Sequence, residues 1–285
     1  MTSTDTHTIA QLLAIAAQRL DTASARLDAE VLLSHVLGKP RSHLRAWPDR
    51  VPAHEQQAQF EALLARRIGG EPVAYLVGQR EFWSLPLTVT RDTLIPRPET
   101  ETLIEFVLER FAADTVLDVA DLGTGSGAIA CALASERPHW SIVATDVSHA
   151  ALNVARDNAR RLGLDTVRFA HGDWFDAFDT ARRFDLLVSN PPYVAVADPH
   201  LSSGDVMFEP ASALVSGADG LDDIRRIAAQ ATDRLKTGGW LVLEHGYNQQ
   251  PVVAAILRNA GFDSIELRRD LAGIPRMTAG CRSDA

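Results

Sequence analysis

The chain has 285 residues, a net charge of −9, 46% hydrophobic residues and two cysteines, which is enough for one large and one small domain, each with its own core. The acidic balance leaves no broad basic surface for phosphates, which counts against a nucleic-acid substrate, and no apolar run approaches a membrane span. Two cysteines without a C-x-x-C pattern give neither a disulfide framework nor a zinc site, so a reducing cytosol is the expected setting.

The start, Met1-Thr2-Ser3-Thr4-Asp5, carries an acid and no arginine and reads as neither a signal nor a transit peptide. Apolar residues then recur at helical spacing over residues 9–20, 25–37 and 54–68 without intervening strands. Gly69-Gly70 and Pro72 close the third pattern, so residues 1–75 are expected to form a helical bundle. Such a cap reads either as a surface for a protein partner or as a stability element. Residues 80–90 alternate as a hairpin turning at Ser84-Leu85-Pro86, within a linker over 76–98. Pro98 begins a helix whose first turn holds Glu99 and Glu101, as the helix dipole favours.

From residue 116 the texture changes. Val116 to Leu122 reads as a strand, Gly123-Thr124-Gly125-Ser126-Gly127 as a glycine loop, and Ala128 to Ala134 as a helix. Glycines let a ligand approach the backbone, and a helix start offers free N–H groups. The spacing is neither that of a dinucleotide fold nor that of a P-loop, so no phosphate signature is present. A second strand, Ser141 to Asp146, ends in an acid about twenty residues on, where a carboxylate can accept from both ribose hydroxyls. The implied ligand is a nucleoside without phosphates, and S-adenosylmethionine fits. Val167 to His171 is a third strand, followed by Gly172-Asp173-Trp174. Asp173 is expected to accept from an adenine amino group while Trp174 covers the ring, although Trp174 also reads as a core aromatic.

The fourth strand, Phe184 to Ser189, runs into Asn190-Pro191-Pro192-Tyr193. Two prolines hold this exit rigid and have no N–H to donate. What remains is a set of acceptors, the Asn190 side-chain oxygen and nearby carbonyls, beside the face of Tyr193. That suits a planar –NH2 group, whereas the plain alternative is a Pro-Pro turn with a surface Tyr. Helices near residues 150–162, 221–235 and 252–260, a strand over 240–244 and a closing hairpin from Ser264 to Gly280 complete the order. This is the rhythm of a doubly wound parallel sheet, in which ligands bind where the strand order reverses. The nine histidines form no ligand spacing.

These residues resemble a known family. Asp121 to Gly127, Asp146, Gly172-Asp173 and Asn190 to Tyr193 are similar to the motifs of class I S-adenosylmethionine-dependent methyltransferases acting on amino nitrogens. Leu94-Ile95-Pro96-Arg97-Pro98-Glu99-Thr100-Glu101, Gly78 to Trp83, Leu27 to Leu33, Phe208-Glu209-Pro210, Asp219-Gly220-Leu221 and Glu244-His245-Gly246 extend the likeness to the release-factor glutamine N5-methyltransferases. One difference is Ala195, where an acid often follows. The resemblance implies a seven-stranded, mostly parallel α/β sheet (the class I methyltransferase fold) over residues 99–285, with the helical bundle recognising the substrate. It implies a protein-(glutamine-N5) methyltransferase that converts S-adenosylmethionine to S-adenosylhomocysteine, without a metal. The substrate would be the glutamine of the Gly-Gly-Gln loop in peptide chain release factors, modified in the cytoplasm, which modulates translation termination. Cofactor contacts would come from Gly123, Thr124, Gly125, Ser126, Gly127, Asp146, Asp173, Trp174 and Asn190. The substrate would lie on Asn190, Pro191, Pro192 and Tyr193, with Asn190, Pro191 and Tyr193 as the catalytic set. Two alternatives stand beside this: an adenine-N6 or guanine-N2 methyltransferase, which must flip its base, and a non-catalytic S-adenosylmethionine-binding module.

Overall fold

The computed structural model describes residues 6–202 and 204–283; the amino-terminal segment read above for targeting signals, residues 1–5, lies outside them. The chain divides into two compact units. One comprises Met1–Gln79 with Ser202–Phe208, the other Arg80–Leu201 with Glu209–Ala285.

The first unit is helical. Its elements are α1 (Ile9–Arg19), α2 (Ala25–Leu37), α3 (Arg41–Ala46), α4 (His54–Ile68) and α5 (Val73–Val77). A capping box starts α1: the Gln11 N–H donates to the Thr8 hydroxyl and the Thr8 N–H to the Gln11 side-chain oxygen. Gly38, at φ 59°, ends α2 in the left-handed conformation. Leu13, Leu32, Leu33, Phe60 and Leu64 are almost fully buried, each stabilising the bundle by roughly 1.5–3 kcal/mol. A buried cation ties the unit together. Arg67, with 8% of its side chain exposed, reaches Asp28 at 2.9 Å and Asp205 at 2.7 Å.

The hairpin β1 (Gln79–Phe82) and β2 (Leu85–Thr88) begins at the last residue of the first unit's long segment and leads the second unit, followed by α6 (Glu101–Arg110). The hairpin turns at Trp83-Ser84 and not at Ser84-Leu85-Pro86. Both turn residues have positive φ, 51° and 59°, a two-residue turn whose twist matches that of the flanking strands. Trp83 is held there by its backbone N–H on Glu101, at 2.8 Å, and its indole N–H on Glu136, also at 2.8 Å.

The remaining elements are β3 (Asp118–Leu122), α7 (Ala128–Glu136), β4 (Ser141–Asp146), α8 (His149–Arg161), β5 (Val167–His171), β6 (Phe184–Ser189), α9 (Asp222–Arg234), β7 (Leu235–Glu244), α10 (Gln250–Asn259), β8 (Asp263–Arg269) and β9 (Pro275–Cys281). The strands form one seven-stranded sheet in the order β5-β4-β3-β6-β7-β9-β8. Pairing is parallel except along β9, which runs antiparallel to both neighbours. Val119, Ala120, Leu186, Leu187, Val188 and Leu241 through Leu243 are fully buried, as expected of central strands covered on both faces. The order reverses between β3 and β6, so the glycine loop and Asn190 leave the sheet side by side. Among the described residues no helix is long and apolar enough to cross a membrane.

Candidate functional site

The ends of β3 and β6 are locked in register. The buried Ser189 hydroxyl, the last residue of β6, donates to the carbonyl of Leu122, the last of β3, at 2.6 Å. Immediately beyond, Gly123, Gly125 and Gly127 all take positive φ. At Gly127 a Cβ would come within 3.1 Å of the Ala155 side chain, so this glycine lets α8 pack against the loop. Asn158 of α8 mimics a strand edge: its amide accepts from the Thr88 N–H at 2.7 Å and donates to the carbonyls of Thr88 and Ser126 at 2.9 Å. Beneath the loop lies Asp121, fully buried, accepting from the Thr124 hydroxyl at 2.6 Å and the Ala130 N–H at 3.2 Å. Burial raises its pKa to about 7 against these two hydrogen bonds.

A cavity of about 420 Å³ opens over this edge of the sheet. Of the expected site residues, Gly123, Gly125, Asp146, Asp173, Trp174, Asn190 and Pro192 line it. Thr124, Ser126, Gly127, Pro191 and Tyr193 are not among its lining residues. Asp146 closes the floor: its carboxylate accepts from the Gly125 N–H at 2.9 Å and the Ser148 N–H at 2.8 Å. Its pKa is nevertheless raised, because burial outweighs these bonds. Opposite, Asp173 pairs with Arg226 at 2.6 Å, and the Trp174 indole donates to Asp223 at 3.2 Å. The Trp174 ring lies against Gly123, where a Cβ would stand 3.0 Å from it.

Residues distant in sequence shape the Asn190 loop. The Asn190 side-chain NH2 donates to the Thr100 hydroxyl at 3.2 Å, and the Tyr193 phenol donates to Glu244 at 3.1 Å. Gln249 donates to the Tyr193 carbonyl at 3.0 Å, and Gly220 passes so close that a Cβ would sit 2.3 Å from that oxygen. Arg97 reaches the buried Glu209 carboxylate at 2.7 Å. Thr100, Glu209, Gly220 and Glu244 belong to segments cited above only for family likeness; their contacts supply a physical role for each. Gln249 and Ser189 carried no sequence signal, because a lone Gln before a helix or Ser at a strand end is commonplace.

A cavity beside a glycine loop, at the switch point of a seven-stranded sheet of this order, belongs to the class I methyltransferase fold. In the comparisons, residues 11–78 match the family model for the PrmC N-terminal domain and residues 100–221 that for the methyltransferase small domain. The release factor glutamine methyltransferase of Pseudomonas aeruginosa is 53% identical over 91% of this chain and 94% of its own length. The enzyme of the same name from Vibrio cholerae is 51% identical over 92% of both. A methyltransferase structure from Pyrococcus furiosus, 16% identical, superposes with a TM-score of 0.54 over 77% of this chain and 98% of its own, a likeness of fold. The chain belongs to the release factor glutamine methyltransferase family.

Proposed function

We propose that this protein transfers a methyl group from S-adenosylmethionine to the side-chain amide nitrogen of the glutamine in the Gly-Gly-Gln loop of peptide chain release factors, in the cytoplasm where those factors act. The observation that carries the reading is Asn190 at the cavity wall, in a chain alike to enzymes of that name over nine-tenths of its length. The cavity suits an adenosyl group: backbone at Gly123 and Gly125, an acid at the end of β4 and an indole at the rim. Asp146 would hold the ribose hydroxyls, Asp173 and Trp174 the adenine, and Gly123 to Gly127 the backbone edge. When bound, S-adenosylmethionine supplies a sulfonium methyl as the electrophile.

The chain's own residues do the positioning. An amide nitrogen is a poor nucleophile because its lone pair is delocalised into the carbonyl. The Asn190 side-chain oxygen and the Pro191 carbonyl would accept its two N–H protons, aim the nitrogen and favour pyramidalisation as the new bond forms. Pro191 and Pro192 hold these acceptors rigid, and Tyr193 flanks the amide plane. Orientation and fixed dipoles therefore carry the acceleration, and the surplus proton passes to water. Binding energy from remote surfaces positions the reacting group, and the helical residues 1–75 are the candidate surface. Free glutamine is accordingly expected to be a poor substrate.

The test is mass spectrometry of a release factor treated with the protein and S-adenosylmethionine. One added methyl on the Gly-Gly-Gln glutamine is expected. An unmodified release factor, with methyl found on adenine or guanine of RNA or DNA, would overturn the reading.

A further inference from the structure

We infer that Asp223 and Arg226 of α9 are positioning residues for the cofactor: together they hold the Asp173–Trp174 corner in the shape that grips an adenine ring. This rests on the reading of the cavity given above and adds to it the device that orders its adenine end. Asp173 and Trp174 are consecutive residues just beyond β5, and both line the cavity. Asp223 and Arg226 lie three apart on α9, so they share one face of it, and they line the same cavity.

One oxygen joins the four side chains. Asp223 Oδ1 accepts from the Trp174 indole at 3.2 Å and from Arg226 Nη1 at 3.3 Å. The other arm of that guanidinium, Nη2, donates to Asp173 Oδ2 at 2.6 Å. The helix is itself fixed here: the Asp223 N–H donates to the hydroxyl of buried Ser216 at 2.8 Å. A pair of residues on the helix thus grips a pair on the loop, and neither loop side chain can turn without losing its bond.

The backbone of the corner needs such a grip. Trp174 has φ 51°, a conformation that costs a bulky residue about 1–3 kcal/mol and persists only where the surroundings impose it. Gly172 leaves no slack before it, since a Cβ there would stand 2.4 Å from the Ala177 nitrogen. In this conformation the half-buried indole lies against Gly123 of the glycine loop, at the cavity wall. An indole tied at its N–H offers its ring at a fixed place, and a carboxylate tied at one oxygen offers an acceptor whose ordering precedes binding.

Calorimetry on the full-length protein tests this with S-adenosylhomocysteine and its 6-deamino analogue, in which purine replaces adenine. The wild type should prefer the amino compound by about tenfold or more, the equivalent of one hydrogen bond to a charged acceptor. In Arg226→Gln that preference should shrink by about threefold or more, because Asp173 must then be ordered on binding. A merely structural loss would weaken both ligands alike and leave the preference intact. Asp223→Leu should weaken both ligands by about five- to tenfold, one net hydrogen bond, and Asp223→Asn, whose amide oxygen can still accept from the indole, should restore them. Should Asp223→Leu fail to fold, Arg226→Gln and Asp223→Asn carry the test. An undiminished preference in Arg226→Gln, wild-type affinity in Asp223→Leu, or weak binding by Asp223→Asn would overturn the inference. Failure of the proposed function looks different: the release factor would stay unmethylated while the binding pattern came out as expected. A wild type that bound neither ligand would overturn both.

Discussion

At the scale of single residues, cofactor binding and chemistry should separate. Asp146→Ala removes the acceptor at the end of β4 and should weaken S-adenosylmethionine binding by roughly 1–3 kcal/mol, measured by calorimetry. Asn190→Ala removes the acceptor at the end of β6. It should keep most of that affinity and lose turnover by at least about a hundredfold, the order seen when a transition-state partner is removed. Single-turnover methylation of a release factor measures it, and a near wild-type rate there would remove the amide clamp. Arg67 is a different case, buried between Asp28 and Asp205. Arg67→Ala leaves the buried Asp28 without its cation and should cost about 3 kcal/mol in denaturant unfolding. Adding Asp28→Leu should recover part of that loss, because the buried charge left without its cation is gone.

At the scale of elements, most of the fold was legible because its signals are local. Apolar periodicity located α1, α2 and α4 within a residue or so, and the buried runs Ser141 to Asp146 and Phe184 to Ser189 coincide with β4 and β6. The hairpin turn departs from its sequence signal: Pro86 points to a turn there, whereas the backbone turns at Trp83-Ser84, with Trp83 anchored by Glu101 and Glu136. A non-glycine residue in the left-handed region costs about 1–2 kcal/mol. Ser84→Gly should therefore raise the unfolding free energy by up to about 1 kcal/mol, visible as a higher midpoint in urea. The 3₁₀ turns Pro199–Ser202, Gly204–Phe208 and Ala211–Ala213 have no sequence signal of their own, since Pro, Ser and Gly mark irregular chain without saying which form it takes. The same division holds at the candidate site. Gly123 to Gly127 and Asn190 to Tyr193 are contiguous and readable. The bonds from Asn190 to Thr100 and from Tyr193 to Glu244 span 90 and 51 residues, and only the sheet order brings those partners together.

For the whole molecule, Asp121 and Glu244 give an unusual pH response. Both are fully buried and both have folded-state pKa values raised to about 7, from ordinary values of 3.8 and 4.5. Between those ordinary values and about 7 the folded chain binds more protons than the unfolded one. Stability contributed by these groups is therefore greatest at the acid end, falls as pH rises, and levels off above about 7. Urea titrations of the wild type and of Asp121→Asn across this range should show a difference that grows with pH and then flattens. A difference independent of pH would mean that Asp121 stays ionised.

The backbone crosses between the two compact units three times, at 79/80, 201/202 and 208/209. A single proteolytic nick therefore liberates neither unit. The short return excursion supplies Asp205 to Arg67, 138 positions away, and the Phe208 ring to Gly70, where a Cβ would sit 3.1 Å from it. A chimera that borrows only the amino-terminal helices from a relative would leave Asp205 and Phe208 facing foreign residues in place of Arg67 and Gly70. In recombination, therefore, the helices and those seven residues form one heritable cassette written in two places.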